Sequence, residues 1–157
     1  MQGEEELGAL LAHHALRTLT MRYARAVDRR DYAALGELFV EEGAIYVYRG
    51  DPATTEPYLR LEGRAGIVEQ MQRIEAWDKT QHHVSNQLFE VAGEAATGES
   101  YCMAHHISSN DGAPRDLTMA IRYQDEFAHR EGRWWIVTRR LCVDWERDEP
   151  LGEGGWA

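Results

Sequence analysis

The sequence has no apolar run near the roughly 18 residues that a membrane-spanning helix needs. It has no excess of positive charge either: 17 Lys+Arg stand against 27 Asp+Glu, a formal net charge of −10. Phosphate recognition needs clustered Lys/Arg, so neither nucleic acid nor an anionic membrane surface is expected as a partner. Cysteine is scarce. Cys102 and Cys142 are the two present, and neither sits in a C-x-x-C motif. Reduced thiols are expected, with a single disulfide as the alternative. No internal repeat, linker or domain boundary is visible. Met1-Gln2-Gly3-Glu4-Glu5-Glu6 is acidic where a secretory signal is basic, so a cytoplasmic location is expected.

What is present suits one folded domain. The chain has 157 residues, 43% hydrophobic and 28% charged. A domain of this size buries about 68–70% of its unfolded surface, enough for a core without metal or disulfide staples. Five Trp, seven Tyr and seven His stand out, and the His come largely as doublets: His13-His14, His82-His83 and His105-His106.

The first third reads as helix. Leu7, Leu10, Leu11, Ala15, Leu16, Leu19, Tyr23 and Val27 recur at spacings of three and four, one face of a 3.6-residue period. Asp31 is a good N-cap for a short second helix carrying Tyr32, Leu35, Leu38 and Phe39, ended by Glu41-Glu42-Gly43. Ala44 to Tyr48 is β-branched and aromatic, hence a strand. Arg49 to Pro57 reads as a connection and Leu59 to Glu62 as a short returning strand. Gly63 to Gly66 opens a third helix with Ile67, Met71 and Ile74 on one face. The second half is strand-like: 80–91, 96–107, 117–130 and 133–145. These strands are joined by turns at Gly93-Glu94, Ser108 to Pro114 and Glu131-Gly132. Helices first and long antiparallel strands after predict the α+β class. The expected architecture is a cone-shaped barrel, with the N-terminal helices packed in a curved, mostly antiparallel sheet and an open mouth that suits a small molecule. One domain is expected over 1–146, followed by a mobile acidic, Gly-rich tail over 147–157.

Strand side chains alternate, so each His doublet places one ring inside the cone and one outside. One face of 80–91 carries His82, Val84, Asn86 and Leu88; the other carries His83, Ser85, Gln87 and Phe89. One face of 96–107 carries Gly98, Ser100, Cys102, Ala104 and His106, small enough to line a cavity. The opposite face carries Tyr101, Met103, His105 and Ile107 and would suit a packed outer surface or a subunit interface. Tyr46 and Tyr48 share a parity, so both can face one side. Arg139 and Arg140 have opposite parities, and alternation does not choose between them.

Several stretches together resemble the nuclear transport factor 2-like superfamily in its SnoaL-like branch. They are Tyr23 to Tyr32, Leu38 to Ala44, Leu61 to Ile67, Thr80 to Asn86, and Tyr123 to Phe127 followed by Gly132 to Ile136. The branch includes scytalone dehydratase, bile acid 7α-dehydratase and hexachlorocyclohexane dehydrochlorinase. The resemblance implies a cone fold, often dimeric or trimeric. It implies a helix-end Asp paired with a strand His, which here are Asp28 and His82. It also implies a second polar pocket residue on the next strand, His106, and a Tyr five residues before the Asp, Tyr23.

On this reading Asp28, His82, Tyr23 and His106 are the catalytic set. Tyr46, Tyr48, Asn86, Cys102, Tyr123 and Arg140 are expected to bind substrate. The implied activity is a cofactor-independent lyase. It would be a dehydratase acting on a polycyclic or aromatic oxygenated small molecule, polyketide- or steroid-like, in a homodimer or homotrimer. An isomerase or aldol-type cyclase using the same Asp/His pair is the first alternative. A non-catalytic small subunit of a ring-hydroxylating dioxygenase is the second. Asp28, His82 and His106 around a divalent ion is a further reading, but no H-x-x-x-H spacing supports it, and no metal or other cofactor is expected.

Overall fold

The computed structural model describes residues 2–109 and 112–152. Asn110 and Asp111 of the loop expected over Ser108 to Pro114 lie outside the described residues, as does 153–157 of the expected tail. The elements run α1 (Gln2–Arg29), α2 (Tyr32–Gly36), β1 (Phe39–Arg49), β2 (Leu59–Glu62), α3 (Arg64–Met71), a 3₁₀ turn (Gln72–Ala76), β3 (Lys79–Ala92), β4 (Ala95–Ser108), β5 (Arg115–Arg130) and β6 (Arg133–Pro150). The class is α+β, as expected. Six strands form one unclosed sheet in the order β2-β1-β6-β5-β4-β3. Every neighbouring pair is antiparallel except β1 with β6, which run parallel. Among the described residues no helix is long and apolar enough to cross a membrane.

The sheet curves because its ladders are interrupted. Register shifts fall between Ser85 and Leu88 on β3, between Phe39 and Ala44 on β1, and at Asp144 and Val137 on β6, which are the extra residues opposite Ala120/Ile121 and Glu126/Phe127 of β5. Each extra residue bends and twists its strand. The concave side wraps the second half of α1, where Leu16, Leu19, Tyr23 and Val27 are buried against Phe39, Ile45, Phe127 and Ile136. Leu7, Leu10 and Leu11 have the same helical spacing but are exposed. The apolar stripe is continuous in sequence, whereas the cone covers only part of its length.

Local differences have local causes. Asp31 does cap α2, accepting from the Ala34 N–H, but that helix ends at Gly36 and Phe39 already belongs to β1. The short apolar run Leu38-Phe39-Val40 satisfies either period, and pairing of β1 with β6 decides it. β6 continues to Pro150 because Arg115 to Thr118 of β5 pair with Arg147 to Pro150, so these residues are strand rather than tail. On β3 the shift centres on Asn86, whose φ of 46° is in the left-handed region. Beyond it the phase flips, and Leu88 points out while Phe89 points in. Gly98 accommodates that inward ring: a Cβ there would lie 2.5 Å from Phe89 Cδ1. Phe89 therefore leaves the face that alternation gives it with His83 and packs against the core.

Candidate active site

The site begins where α1 stops. Arg30 takes a φ of 55°, and its N–H bonds the Val27 carbonyl, ending the helix and leaving Asp28 in the last turn. The Arg30 guanidinium then ties this corner to the start of β3. Its Nη1 donates to the Asp28 carbonyl and to Thr80 Oγ1, and its Nη2 donates to the Trp77 carbonyl. This clamp holds Asp28 against Thr80 and His82.

Asp28 is fully engaged by that strand. Oδ2 accepts from the His82 backbone N–H at 2.9 Å, and Oδ1 accepts from Thr80 Oγ1 at 3.0 Å. The His82 ring Nδ1 lies 2.6 Å from Oδ1. Burial pushes the Asp28 carboxyl up, but the hydrogen bonds from the His82 ring and backbone and from Thr80 outweigh it and hold it below its ordinary value. An ionised carboxylate on Nδ1 places the ring proton there. Nε2 then carries the free lone pair. His82 lines a cavity of about 150 Å³ inside the cone, and on its other side a more open one shared with Asp28, Thr80, Arg25 and Arg29.

The chamber is mostly aliphatic. Val27 from α1, Ile45 and Val47 from β1, and Met119 and Ile121 from β5 supply much of its wall. Two histidines and two tyrosines add polar groups: His82, His106, Tyr23 and Tyr58. The His106 and His82 rings meet edge-on with centroids 5.5 Å apart, and Trp77 packs on the other side of His106 at 5.4 Å. Burial, then the neighbouring His82, lower the His106 pKa to about 4, so this ring is neutral near pH 7. Its Nδ1 is buried with no hydrogen-bond partner among the described residues. Burial pushes the Tyr23 hydroxyl above its ordinary value, which keeps it protonated.

Beneath the chamber lies an ion pair. Arg139 is fully buried and grips Asp125 with two bonds, Nε to Oδ1 at 2.8 Å and Nη2 to Oδ2 at 2.7 Å. Its guanidinium is sandwiched between the rings of Tyr23 and Tyr123, 4.0 and 4.1 Å from their centroids. Burial works against the charge, but Asp125 more than offsets it and holds Arg139 protonated. The stack fixes the orientation of Tyr23.

The expected catalytic residues Asp28, His82, Tyr23 and His106 therefore converge. The expected binding residues mostly do not. Tyr46 and Tyr48 lie on the other face of β1, because Ile45 and Val47 take the inner face in register with Arg139 and Leu141. Tyr46 donates outward to Glu62. Arg140 is also outside, bonded to Glu126, while Arg139 is the inner one of the pair. Asn86 is exposed, carried outward by the β3 shift. Gln87 takes the inward place and donates to Thr20. Cys102 and Tyr123 point inward but pack in the core below the chamber wall. Burial pushes the Cys102 thiol up to about 11, so it is no nucleophile. Both cysteines are free.

Arg30, Thr80 and Arg73 were not expected at the site from sequence, and Leu61, Met71 and Ile74 were read only as parts of their strand and helix. Thr80 had a signal, since it shares the parity of His82. Arg30 sits two residues from Asp28, but a charge run is more often a solvated face. Among the described residues no group of three or more His, Cys, Asp or Glu side chains is arranged to hold a metal ion.

Residues 8–140 match the family described as the SnoaL-like domain. The chain belongs to the SnoaL-like family. Solved structures agree in fold. A candidate scytalone dehydratase from Novosphingobium aromaticivorans is 22% identical with a TM-score of 0.77, over 95% of this chain and 97% of that one. A hexachlorocyclohexane dehydrochlorinase, LinA type 2, is 17% identical with a TM-score of 0.79, over 97% of each chain. The beta subunit of a candidate aromatic-ring-hydroxylating dioxygenase from Novosphingobium aromaticivorans is 19% identical with a TM-score of 0.74, over 88% of this chain and 93% of that one. No curated protein matches the chain. Identities this low speak for the SnoaL-like cone and leave the reaction open.

Proposed function

We propose that this SnoaL-like protein is a cofactor-independent lyase, a dehydratase acting on an oxygenated aromatic or polycyclic small molecule. The observation that carries the reading is the Asp28 carboxylate 2.6 Å from His82 Nδ1, with that ring lining a mostly apolar chamber. A His so oriented is a general base. It takes the proton from the carbon next to a substrate carbonyl, and Asp28 stabilises the imidazolium that forms. The electron pair moves into the enolate and then forms the carbon–carbon double bond as the β C–O bond breaks. The proton held on Nε2 passes to the departing hydroxide, which leaves as water. Tyr23, protonated and held in place by Arg139, donates to the enolate oxygen; one such donor in a dry pocket is worth about 10²–10³-fold. His106, neutral and beside His82, positions the substrate instead of supplying a proton.

A chamber of about 150 Å³ accepts one six-membered ring. A polycyclic skeleton would leave its remaining rings in the mouth beside Tyr58. The dehydratase and dehydrochlorinase among the structural relatives also favour the elimination reading over the isomerase or cyclase that the same pair could support. We place the contact of a homodimer or homotrimer on the convex face, where Tyr101 and Trp145 are exposed. The test is turnover of Asp28→Asn and His82→Ala on a β-hydroxy ketone that the wild-type protein dehydrates, with circular dichroism to verify the fold. Loss of turnover with the fold intact is expected. Near-normal turnover in both variants would sink the mechanism.

A further inference from the structure

The chamber holds one cation and no carboxylate. Arg73, on the 3₁₀ turn, lines it together with Tyr58, Met71 and Ile74. Arg73 and Tyr58 are exposed, whereas His82 and His106 are buried, so the arginine marks the mouth and the histidines the interior. Arg73 is also free. Outside α1, every other arginine of the chain donates to a carboxylate or a backbone or side-chain oxygen. Arg73 has no such partner among the described residues. In a chain with 27 Asp+Glu, an unpaired guanidinium at the rim of an apolar cavity is a place prepared for an external anion. The guanidinium fork matches a carboxylate in two parallel bonds, which gives orientation as well as attraction. Arg25 and Arg29 of α1 line a separate, more open cavity on the other side of Asp28 and His82, so Arg73 is the guanidinium that attracts an anion to this chamber.

We propose that Arg73 is a specificity-determining residue: the substrate carries a carboxylate that stays at the mouth on Arg73, while a single ring or an aliphatic segment of similar bulk fills the chamber against His82. The size follows from the volume, since an apolar cavity of about 150 Å³ is one that takes up a benzene ring. The inference deepens the lyase reading and takes from it only that substrate enters this chamber.

The test uses two probes of the same size and shape, phenylacetate and phenylacetamide, of which only the first is charged and able to accept both bonds of the guanidinium fork. Their binding is followed through the imidazole signals of His82 and His106 by NMR. Wild-type protein is expected to bind phenylacetate at least about tenfold more tightly than the amide. Arg73→Gln should remove that preference, Arg73→Lys should keep part of it, and Arg17→Gln on α1, the same charge change away from the chamber, should leave it intact. Equal binding of acid and amide by wild type, a preference that survives Arg73→Gln, or no effect of either probe on the chamber histidines overturns the proposal. The measurement needs no turnover. A preference for phenylacetate alongside undiminished turnover in Asp28→Asn and His82→Ala would overturn the lyase reading alone. Turnover that depends on His82 with no charge preference would overturn the Arg73 assignment alone.

Discussion

The two faces of this sheet carry the same kinds of pairs in different surroundings. Inside, His82 meets Asp28 at 2.6 Å; outside, His105 meets Asp116 at 2.7 Å. Inside, His82 and His106 touch edge-on; outside, His83 and His105 do the same at 6.1 Å. Inside, Arg139 holds Asp125; outside, Arg122 holds Asp144 with Nε 2.8 Å from Oδ2. Distances do not separate the members of each comparison. Exposure separates the histidines but not the carboxylates: the His82 side chain is 7% exposed and that of His105 35%, while Asp28 at 22% is no more buried than Asp116 at 18%. The outer histidines border a surface groove with Lys79 and Gln81, whereas the inner ones border an aliphatic chamber. An Asp–His contact is thus not by itself a catalytic device. On the proposed reading, what makes the inner pair one is the apolar chamber that its ring lines, where a substrate carbon can reach the second ring nitrogen.

Four experiments bear on that contrast. The largest expected effect is on turnover. His82→Ala or Asp28→Asn should lower kcat/KM by about 10²–10⁴-fold, the usual worth of a positioned base. His105→Ala and Asp116→Asn should change it less than about threefold. Equal losses on both faces would dissolve the distinction.

Stability should follow the same division. Asp125→Ala leaves Arg139 buried without its carboxylate, and urea unfolding is expected to show a loss of about 3–5 kcal/mol. Asp144→Ala removes an exposed partner and should lose less than about 1 kcal/mol. A small loss at Asp125 would mean that water reaches Arg139.

Acid should expose the inner histidine. The His106 pKa is lowered from 6.5 to about 4 by burial and by His82, with Asp28 and Asp116 acting in the opposite direction. Between those values the unfolded chain binds a proton that the folded chain refuses. Stability is therefore full above pH 6.5 and falls as the pH drops toward about 4, by roughly 3 kcal/mol for this group. In His106→Gln the pH dependence of unfolding over that window should flatten. An unchanged slope would place the group's proton uptake elsewhere.

The smallest expected effect is at Leu88, and its contrast with Phe89 tests the phase of β3. Leu88 is 77% exposed, so Leu88→Ser should change stability by no more than about 0.5 kcal/mol. Phe89→Ala should lose about 3 kcal/mol or more, because the ring packs on Phe127 with centroids 5.9 Å apart. Reversed sizes would mean that the strand does not shift at Asn86.

The splitting of the histidine doublets was legible because period-two alternation is strict where a ladder is regular, and the family resemblance named the inner member. His82 and His106 fall on inner positions, and Thr80 pairs with His106 as Ala104 does with His82. Asn86 was misread because one extra residue inverts every later side chain, and no turn residue announces that shift. Tyr46, Tyr48 and Arg140 were misread for a different reason. Alternation groups residues into two sets without naming the inner one, and aromatic residues suit either face of a strand. That the inner set of β1 is Ile45 and Val47 follows from its parallel pairing with β6, a contact far apart in the chain.

Composition and the helical and strand periods were enough to determine the class and the element order, because these depend on residues near one another in the chain. The resemblance to the SnoaL-like branch pointed to Asp28, His82, Tyr23 and His106. The tertiary structure decided which arginine is buried, which tyrosines see the chamber and that Arg73 stands free at its mouth. Those outcomes depend on strand register and on local bulges, which long-range pairing sets and a linear pattern does not encode.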